Sequence, residues 1–538
     1  MTKQNGKNCS ASLLQHYRTC MKRFVPQPLF TRLSGLLSLP AMLASAALLS
    51  ISFSRVNLFF GSWFFLIPLL FVVRNSSPWK AFGLALCTGI LAYAGIFYWI
   101  FVTVYANTGS WPQSALSLLA LSAYISLFSF GLWMLLLNKT SSETSPFFPW
   151  YAAALWVAFE YSRAYLLTGF PWALLGYSQW HMGPLIQIAE FSGVYGVSFL
   201  LVLWNASLFQ SLVTGKKAPL LAASAVAALA LLYGSLALSR TPEGETAPLT
   251  VCLLQGNIDQ YKKWDTSYEE EIISNYSSLA RAAAAKKPDL IIWPETAVPG
   301  YLPYDTRLLR WLTALAQETR TAQLIGSPYY TQNRQNLYYN SSLLMDSGGT
   351  VIGWHKKIHL VPFGEFVPLR PLLEPYFGIL NALSDFTPGT APTVLALGPT
   401  RLGITICSEN FFGHLVRRFV LSGAGILVNQ TNDAWFLDTS APWQHFSMNV
   451  FRAIENRRTV LVSGNTGLTG MVDPWGRTSH MLPLFTAAFA TVPASPMTTL
   501  TLYTRYGDFF AILCVLAVLA VLAGPALILY NFWKRKFT

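Results

Sequence analysis

The chain has 538 residues, 53% hydrophobic and only 11% charged, whereas a soluble chain carries charge at roughly a quarter of its positions. That deficit excludes an ordinary soluble globule and points to membrane spans, and the 18 Trp, 24 Tyr and 36 Phe fit, because aromatic rings gather at bilayer interfaces. The net charge of +13 forms no basic stripe interleaved with aromatics, which argues against nucleic acid, and the six cysteines show no CxxC spacing of a disulfide framework or zinc site.

About 20 apolar residues cross a hydrocarbon core. Uncharged stretches of that kind predict spans at 33–54, 56–73, 81–105, 112–137, 191–215, 218–239 and 509–533. An eighth, 148–170, is apolar but holds Glu160 and Arg163. Three residues apart on a helix, these two share a face and can pair. Such a pair is either an intramembrane functional site or a lock between helices near the interface.

Lysine and arginine set the orientation. They crowd the first 32 residues, recur in alternate loops (Arg74 and Lys80, Lys139, Lys216 and Lys217) and close the chain at Lys534, Arg535 and Lys536. With eight spans, the positive-inside rule puts both termini in the cytoplasm. The first span lacks a small-residue cleavage site and is expected to be retained. The expected organisation is a cytoplasmic segment 1–32, seven spans in 33–240, an external domain 241–505, and an eighth span with a basic cytoplasmic tail in 506–538.

From Leu249 the texture becomes that of a soluble α/β domain. Strands are predicted at 249–258, 289–295 and 322–330, with helices between them at 266–287 and 306–320; Thr266 or Ser267 can cap the first. A hairpin follows, "LYYNSSLLMD" and "TVIGWHKKIHL" joined at "SGG", then strands at 402–407, 425–433 and 459–467 and a turn at "DPWG". Alternating strands and helices with hairpins predict a layered domain with mixed sheets.

Three stretches place polar groups where apolar strands run out. Glu295 ends "LIIWPE", Lys356, Lys357, His359 and Glu365 lie in "WHKKIHLVPFGE", and Cys407 and Glu409 lie in "ITICSE". A carboxylate can deprotonate a thiol, and a lysine can stabilise both the thiolate and an oxyanion. Each also has a plainer reading. A cysteine closing a buried strand is commonly a small core residue, the lysines can be a solvated hairpin edge, Glu295 can cap a turn, and His359 can be structural rather than the base of a Cys–His dyad. The glycine-bearing stretch 375–392 between the Lys and Cys motifs is a candidate lid or a buried connector.

In this order "WPE", "K-x-HLVPFGE" and "ICSE" resemble the nitrilase superfamily, whose members use a Glu–Lys–Cys triad in an α-β-β-α sandwich. With spans on both sides, the chain resembles the membrane-embedded apolipoprotein N-acyltransferase family, and "QGNIDQYKKWD", "LTGFPW" and "NDAWF" add to that likeness over most of the chain. The fold so implied is eight transmembrane helices carrying an external nitrilase-like α/β domain. The resemblance implies Cys407 as nucleophile, Glu295 as general base, Lys357 as stabiliser of charge, Glu365 and Glu409 as supporting carboxylates, and Trp264 and Trp435 as linings of a lipid-facing pocket.

Ser408 departs from the pattern, standing where the family has an aromatic residue, which bears on acyl-chain packing. The implied reaction takes an acyl chain from a phospholipid donor, through a thioester, to the diacylglyceryl-cysteine amine of an apolipoprotein acceptor. It implies no cofactor or metal and a monomer in the bacterial inner membrane with its catalytic domain on the periplasmic side. A membrane-anchored amidase would use the same triad with water as acceptor, and a transporter with an external binding module is the alternative of another class.

Overall fold

The computed structural model describes residues 27–239, 248–263, 265–332, 336–370 and 385–537. Its first half is helical: α1 (Gln27–Ser52), α2 (Leu66–Val73), α3 (Pro78–Ile96), α4 (Tyr98–Thr108), α5 (Trp111–Ser126), α6 (Trp133–Thr140), α7 (Phe148–Arg163), α8 (Val194–Thr214) and α9 (Ala218–Leu238). A π-turn at Leu127–Leu132 joins α5 to α6. Among the described residues, α3, the continuous helix Trp111–Thr140, α8 and α9 are long and apolar enough to cross a membrane, while Ser38–Ser52, Phe59–Val73 and Phe509–Gly524 are shorter apolar helices. Helix therefore occupies each of the eight stretches, and four of these helices reach spanning length and apolarity.

The expected pairing of Glu160 with Arg163 does not form. Both are buried, but Glu160 Oε1 accepts from Trp156 Nε1 (3.0 Å) and from the Leu175 backbone N–H (2.7 Å). Arg163, the last residue of α7, turns towards the following loop and donates to the Ala173 carbonyl (3.5 Å). The helix ends there, so the spacing rule competes with unsatisfied backbone groups of the loop 171–175, and these win. The result is a polar tie between helix and loop.

The second half contains β1 (Leu249–Gln255), α10 (Glu269–Ala284), β2 (Leu290–Ile292), α11 (Thr306–Thr319), β3 (Ala322–Thr331), β4 (Leu337–Met345), β5 (Val351–Lys356), β6 (Val394–Leu397), β7 (Thr400–Ile406), α12 (Gly413–Leu421), β8 (Ile426–Thr431), α13 (Ala441–Asn456), β9 (Thr459–Gly464), β10 (Gly470–Val472), β11 (Thr478–Ser479) and β12 (Ala488–Ala494), followed by α14 (Phe509–Phe537). The short 3-10 turn Thr266–Tyr268 that leads into α10 is capped by Asp265, which accepts from the Ser267 N–H (2.9 Å), and α10 itself has no side-chain cap from Thr266 or Ser267. In the β4–β5 hairpin, Asp346 closes the turn by accepting from the N–H groups of Gly348 and Thr350 (2.9 and 2.7 Å).

Two six-stranded sheets result, ordered β12-β1-β2-β3-β4-β5 and β11-β10-β9-β8-β7-β6. Strands β1, β2 and β3 run parallel, as do β7, β8 and β9. Side chains alternate between faces. Val251 and Leu253 face the other sheet with Ile404, Ile406 and Val428, while Cys252 and Leu254 face α10 and α11 with Tyr276 and Leu312. Burial on both faces is why these strands read as unbroken apolar runs. The layers are α-β-β-α.

The outer layer of the second sheet is shared with the helical half. Phe411, Leu415, Phe419, Phe446, Val450 and Phe451 lie in one buried cluster with residues of α2, α3, α7 and α8. Helix α13 is pinned there by polar bonds too. Gln444 accepts from Trp99 Nε1 (3.1 Å) and Trp172 Nε1 (2.9 Å), and its amide donates to the carbonyls of Phe53 and Ile96 (both 3.1 Å). At the other end of α13, Glu455 accepts from the Val194 N–H that begins α8 (3.1 Å), and Arg457 donates to Gln187 (2.8 Å).

Candidate active site

Each residue of the expected triad follows the C-terminal end of a strand: Glu295 after β2, Lys357 directly after β5, and Cys407 directly after β7. Packing the two sheets brings these ends together. Lys357 Nζ lies 3.5 Å from Glu295 Oε1 and 2.9 Å from Glu365, and all three are buried or nearly so. Asn340 on β4 joins the group, with Nδ2 donating to Glu295 Oε1 (2.7 Å) and to Glu365 Oε1 (2.8 Å). The neighbouring ladder sets this register, since the Lys357 N–H donates to the Asn340 carbonyl (2.8 Å). The turn carrying Glu295 lies flat on β3 only because residue 326 is glycine. A Cβ there would stand 2.1 Å from the Pro294 carbonyl oxygen.

Cys407 has φ of +50°, a conformation few non-glycine residues adopt and one that the surroundings must enforce. Its carbonyl accepts from Asn429 Nδ2 (3.2 Å), and His445 Nε2 lies 3.3 Å from the same oxygen. Burial pushes the Cys407 thiol well above its ordinary range, and the Glu295 carboxylate adds to the rise, while the Lys357 ammonium opposes it. Burial would lower Lys357, but the carboxylates of Glu365 and Glu295 outweigh it and raise the lysine above its usual value. The resting arrangement at neutral pH is thus a neutral thiol, a charged lysine and carboxylates within reach.

Glu409 is fully buried and ties the Lys segment to the Cys segment. It accepts from the N–H groups of Ile358 (2.6 Å) and His359 (3.3 Å) on one side and of Ile406 (2.8 Å) on the other. Glu365 is also held by the Val361 N–H (2.8 Å). His359 packs its ring 3.8 Å from that of Phe412, and burial pushes it down to about 4, so its plainer, structural reading fits better than the dyad. Trp435 is 44% exposed and its carbonyl accepts from Thr103 of α4 (3.0 Å). Trp264 lies outside the described residues, as does 375–384 of the candidate lid. The Ser408 hydroxyl is buried and has no hydrogen-bond partner among the described residues.

Sequence reasoning missed Asn340, Lys263 and His445. Lys263 Nζ donates to the Glu295 carbonyl (3.0 Å) from a buried position. His445 Nδ1 lies 2.8 Å from Asp433 Oδ1. The polar residue within "LYYNSSLLM" marks Asn340 as unusual but not what it touches, since its partners lie in other elements.

Two mixed sheets between helix layers, with Glu295, Lys357 and Cys407 each just beyond a strand end, fit a domain of the nitrilase class. The family model described as carbon-nitrogen hydrolase matches residues 250–499. A second model, the apolipoprotein N-acyltransferase N-terminal domain, matches residues 45–207. An apolipoprotein N-acyltransferase of Geobacter metallireducens is 42% identical over 457 residues, 82% of this chain and 87% of its own. One from Methylococcus capsulatus is 37% identical over 447 residues, 80% of this chain and 85% of its own. The chain belongs to the apolipoprotein N-acyltransferase family. Among solved structures, a mutant of the Nesterenkonia AN1 amidase of the nitrilase superfamily covers 49% of this chain and 95% of its own at 19% identity, with a TM-score of 0.37, too low to add to that assignment.

Proposed function

We propose that the protein moves an acyl chain from a membrane phospholipid to the N-terminal amine of a diacylglyceryl-cysteine on an apolipoprotein, through a thioester on Cys407. The observation that carries this reading is the convergence of Glu295, Lys357 and Glu365 with a thiol on whose ionisation all three act, in a domain packed against apolar helices.

Because the resting thiol is neutral, its proton must leave as the sulfur attacks. Glu295 takes that proton while Sγ bonds to the ester carbonyl carbon, and Lys357 faces the oxyanion. Collapse breaks the ester C–O bond, and Glu295 returns the proton to the departing lysophospholipid oxygen. The neutral amine of the second substrate then attacks the thioester and passes its proton to Glu295. The C–S bond breaks, and the thiolate recovers that proton. Glu365 and Asn340 hold the two charged partners, and Glu409 holds the strand ends in register. In this reading Trp435, half-exposed beside α4, contacts the lipid chains.

Keeping acyl chains out of water explains the membrane helices, since each exposed CH₂ costs about 0.8 kcal/mol. In this reading the chain crosses the bacterial inner membrane eight times. Both termini are cytoplasmic, 241–505 is periplasmic, and the protein works as a monomer. The test is intact mass after incubation with a defined phospholipid. A hydroxylamine-sensitive acyl adduct is expected on the wild type and not on Cys407→Ala. A folded wild type that gains no adduct, or that only releases fatty acid to water, overturns the transfer reading.

A further inference from the structure

The three residues of the triad come from two sheets. Glu295 and Lys357 follow β2 and β5 of the first, and Cys407 follows β7 of the second. The distance between base and nucleophile therefore depends on how one sheet sits on the other. The facing layer is largely apolar, with Leu290, Ile292, Ile404 and Val428 in one buried cluster. Apolar contact is non-directional, so it holds the sheets together without fixing a bond across them.

Gln430 interrupts that layer. On β8 it shares a face with Ile426 and Val428, and it is fully buried. Its Nε2 donates across the gap to the Trp293 carbonyl (2.8 Å) and lies 3.3 Å from the Leu324 carbonyl. Carbonyls only accept, so the orientation of the amide is fixed by its partners. Its Oε1 has no hydrogen-bond partner among the described residues, a cost that an apolar side chain would avoid. Stability alone favours an apolar residue here.

The two ends of this bridge lie beside the reacting groups. In the β7–β8 ladder Gln430 is the register partner of Ile406, the residue before Cys407. Trp293 is two residues before Glu295, with the conformationally fixed Pro294 between them. We infer that Gln430 is a positioning residue, a strut between the sheets that sets how far the Glu295 carboxylate stands from the Cys407 sulfur. Glu409 makes the matching tie on the lysine side, accepting from the N–H groups of Ile358 (2.6 Å) and Ile406 (2.8 Å). Ser463 on β9 gives the strut a second footing, its hydroxyl donating to the Leu254 carbonyl (2.8 Å) and lying 3.3 Å from the Ile292 carbonyl.

The bond itself can be read without any chemistry at Cys407. Labelling tryptophan at the carbonyl carbon and proline at nitrogen selects Trp-Pro peptide bonds, of which the sequence has two, Trp111-Pro112 and Trp293-Pro294. In solid-state NMR of the full chain in lipid, the signal that survives Trp111→Phe belongs to Trp293. It is expected to shift in Gln430→Met, and a signal that stays in place overturns the strut.

The catalytic role rests on Cys407 and Glu295 as nucleophile and base. Gln430→Met is expected to slow formation of the Cys407 acyl adduct at saturating phospholipid by about tenfold, the effect of one or two lost neutral bonds. The half-saturating concentration should stay within about threefold, because the strut does not touch substrate. Val428→Ala, on the same face, removes packing and leaves the bond, so it should lower the melting temperature more and the rate less. The reverse order would mean that Gln430 only fills space. If Gln430→Met fails to fold, Gln430→Asn keeps the amide but falls one methylene short of Trp293; it should be similarly slow, and a wild-type rate would overturn the inference. A wild type that forms no adduct is instead the failure of the thioester reading, and the strut loses its catalytic role with it.

Discussion

Replacing Asn340 by leucine tests how much of the site's chemistry depends on one amide. Asn340 Nδ2 donates to Glu295 Oε1 at 2.7 Å and to Glu365 Oε1 at 2.8 Å. The two losses are unequal. Glu365 keeps Lys357 (2.9 Å) and the Val361 N–H (2.8 Å), whereas among the described residues the Glu295 carboxylate keeps only Lys357, at 3.5 Å. One charge-assisted bond of about 2 kcal/mol is therefore lost outright, which corresponds to about a thirtyfold fall in rate. Stability should move little, because Asn340 Oδ1 is buried without a partner and leucine removes that unmet acceptor. The assay is single-turnover formation of the Cys407 acyl adduct, with thermal unfolding alongside. Asn340→Asp should be slower still, as a third carboxylate beside two others. An Asn340→Leu rate within about threefold of wild type would refute the claim that this amide positions the base.

Gly326→Ala drives a methyl to 2.1 Å from the Pro294 carbonyl; a cost of about 1–3 kcal/mol in the melting curve and a larger loss of adduct formation are expected, since Glu295 must move. Glu409 is buried, which would raise it, but His355 and the N–H groups of Ile406 and Ile358 hold its carboxyl below the ordinary 4.5. Its stabilisation is thus present above that value and lost as pH falls through the lower folded one. Glu409→Gln should lower the melting temperature most near neutral pH, by about 2–4 kcal/mol equivalent, and least in acid. Burial pushes Lys263 down to about 7 from 10.5, so its contribution is present above the unfolded value and lost as pH falls through about 7. Lys263→Met should be the more stable protein at and below neutral pH, with the difference shrinking as melting is measured towards pH 10.5, and a constant difference would contradict the burial argument.

The parallel strands and the polar ends at Glu295 and Cys407 were legible because these strands are covered on both faces, whereas β6 and β12 carried no such signal. Runs such as "LIIWPE" and "ITICSE" show where apolar cover stops, and in a parallel sheet that is where a site can be built. Asn340 and His445 were not legible. Their meaning depends on partners in other elements, 45 residues away for Asn340 and Glu295 and 38 for His445 and Cys407, and no local pattern encodes that distance. Glu160 and Arg163 fail for the opposite reason, since the spacing rule sees the helix but not the loop that returns to it.

The Gln444 anchorage constrains how large substrates come and go. One amide answers two indoles and two helix-end carbonyls, within an apolar layer that continues from the helices into the sandwich. Lifting the sandwich away would strand all four groups and open that layer to water. The catalytic half is thus welded to its base rather than hung from it. Substrates are therefore expected to reach the site without the two halves coming apart.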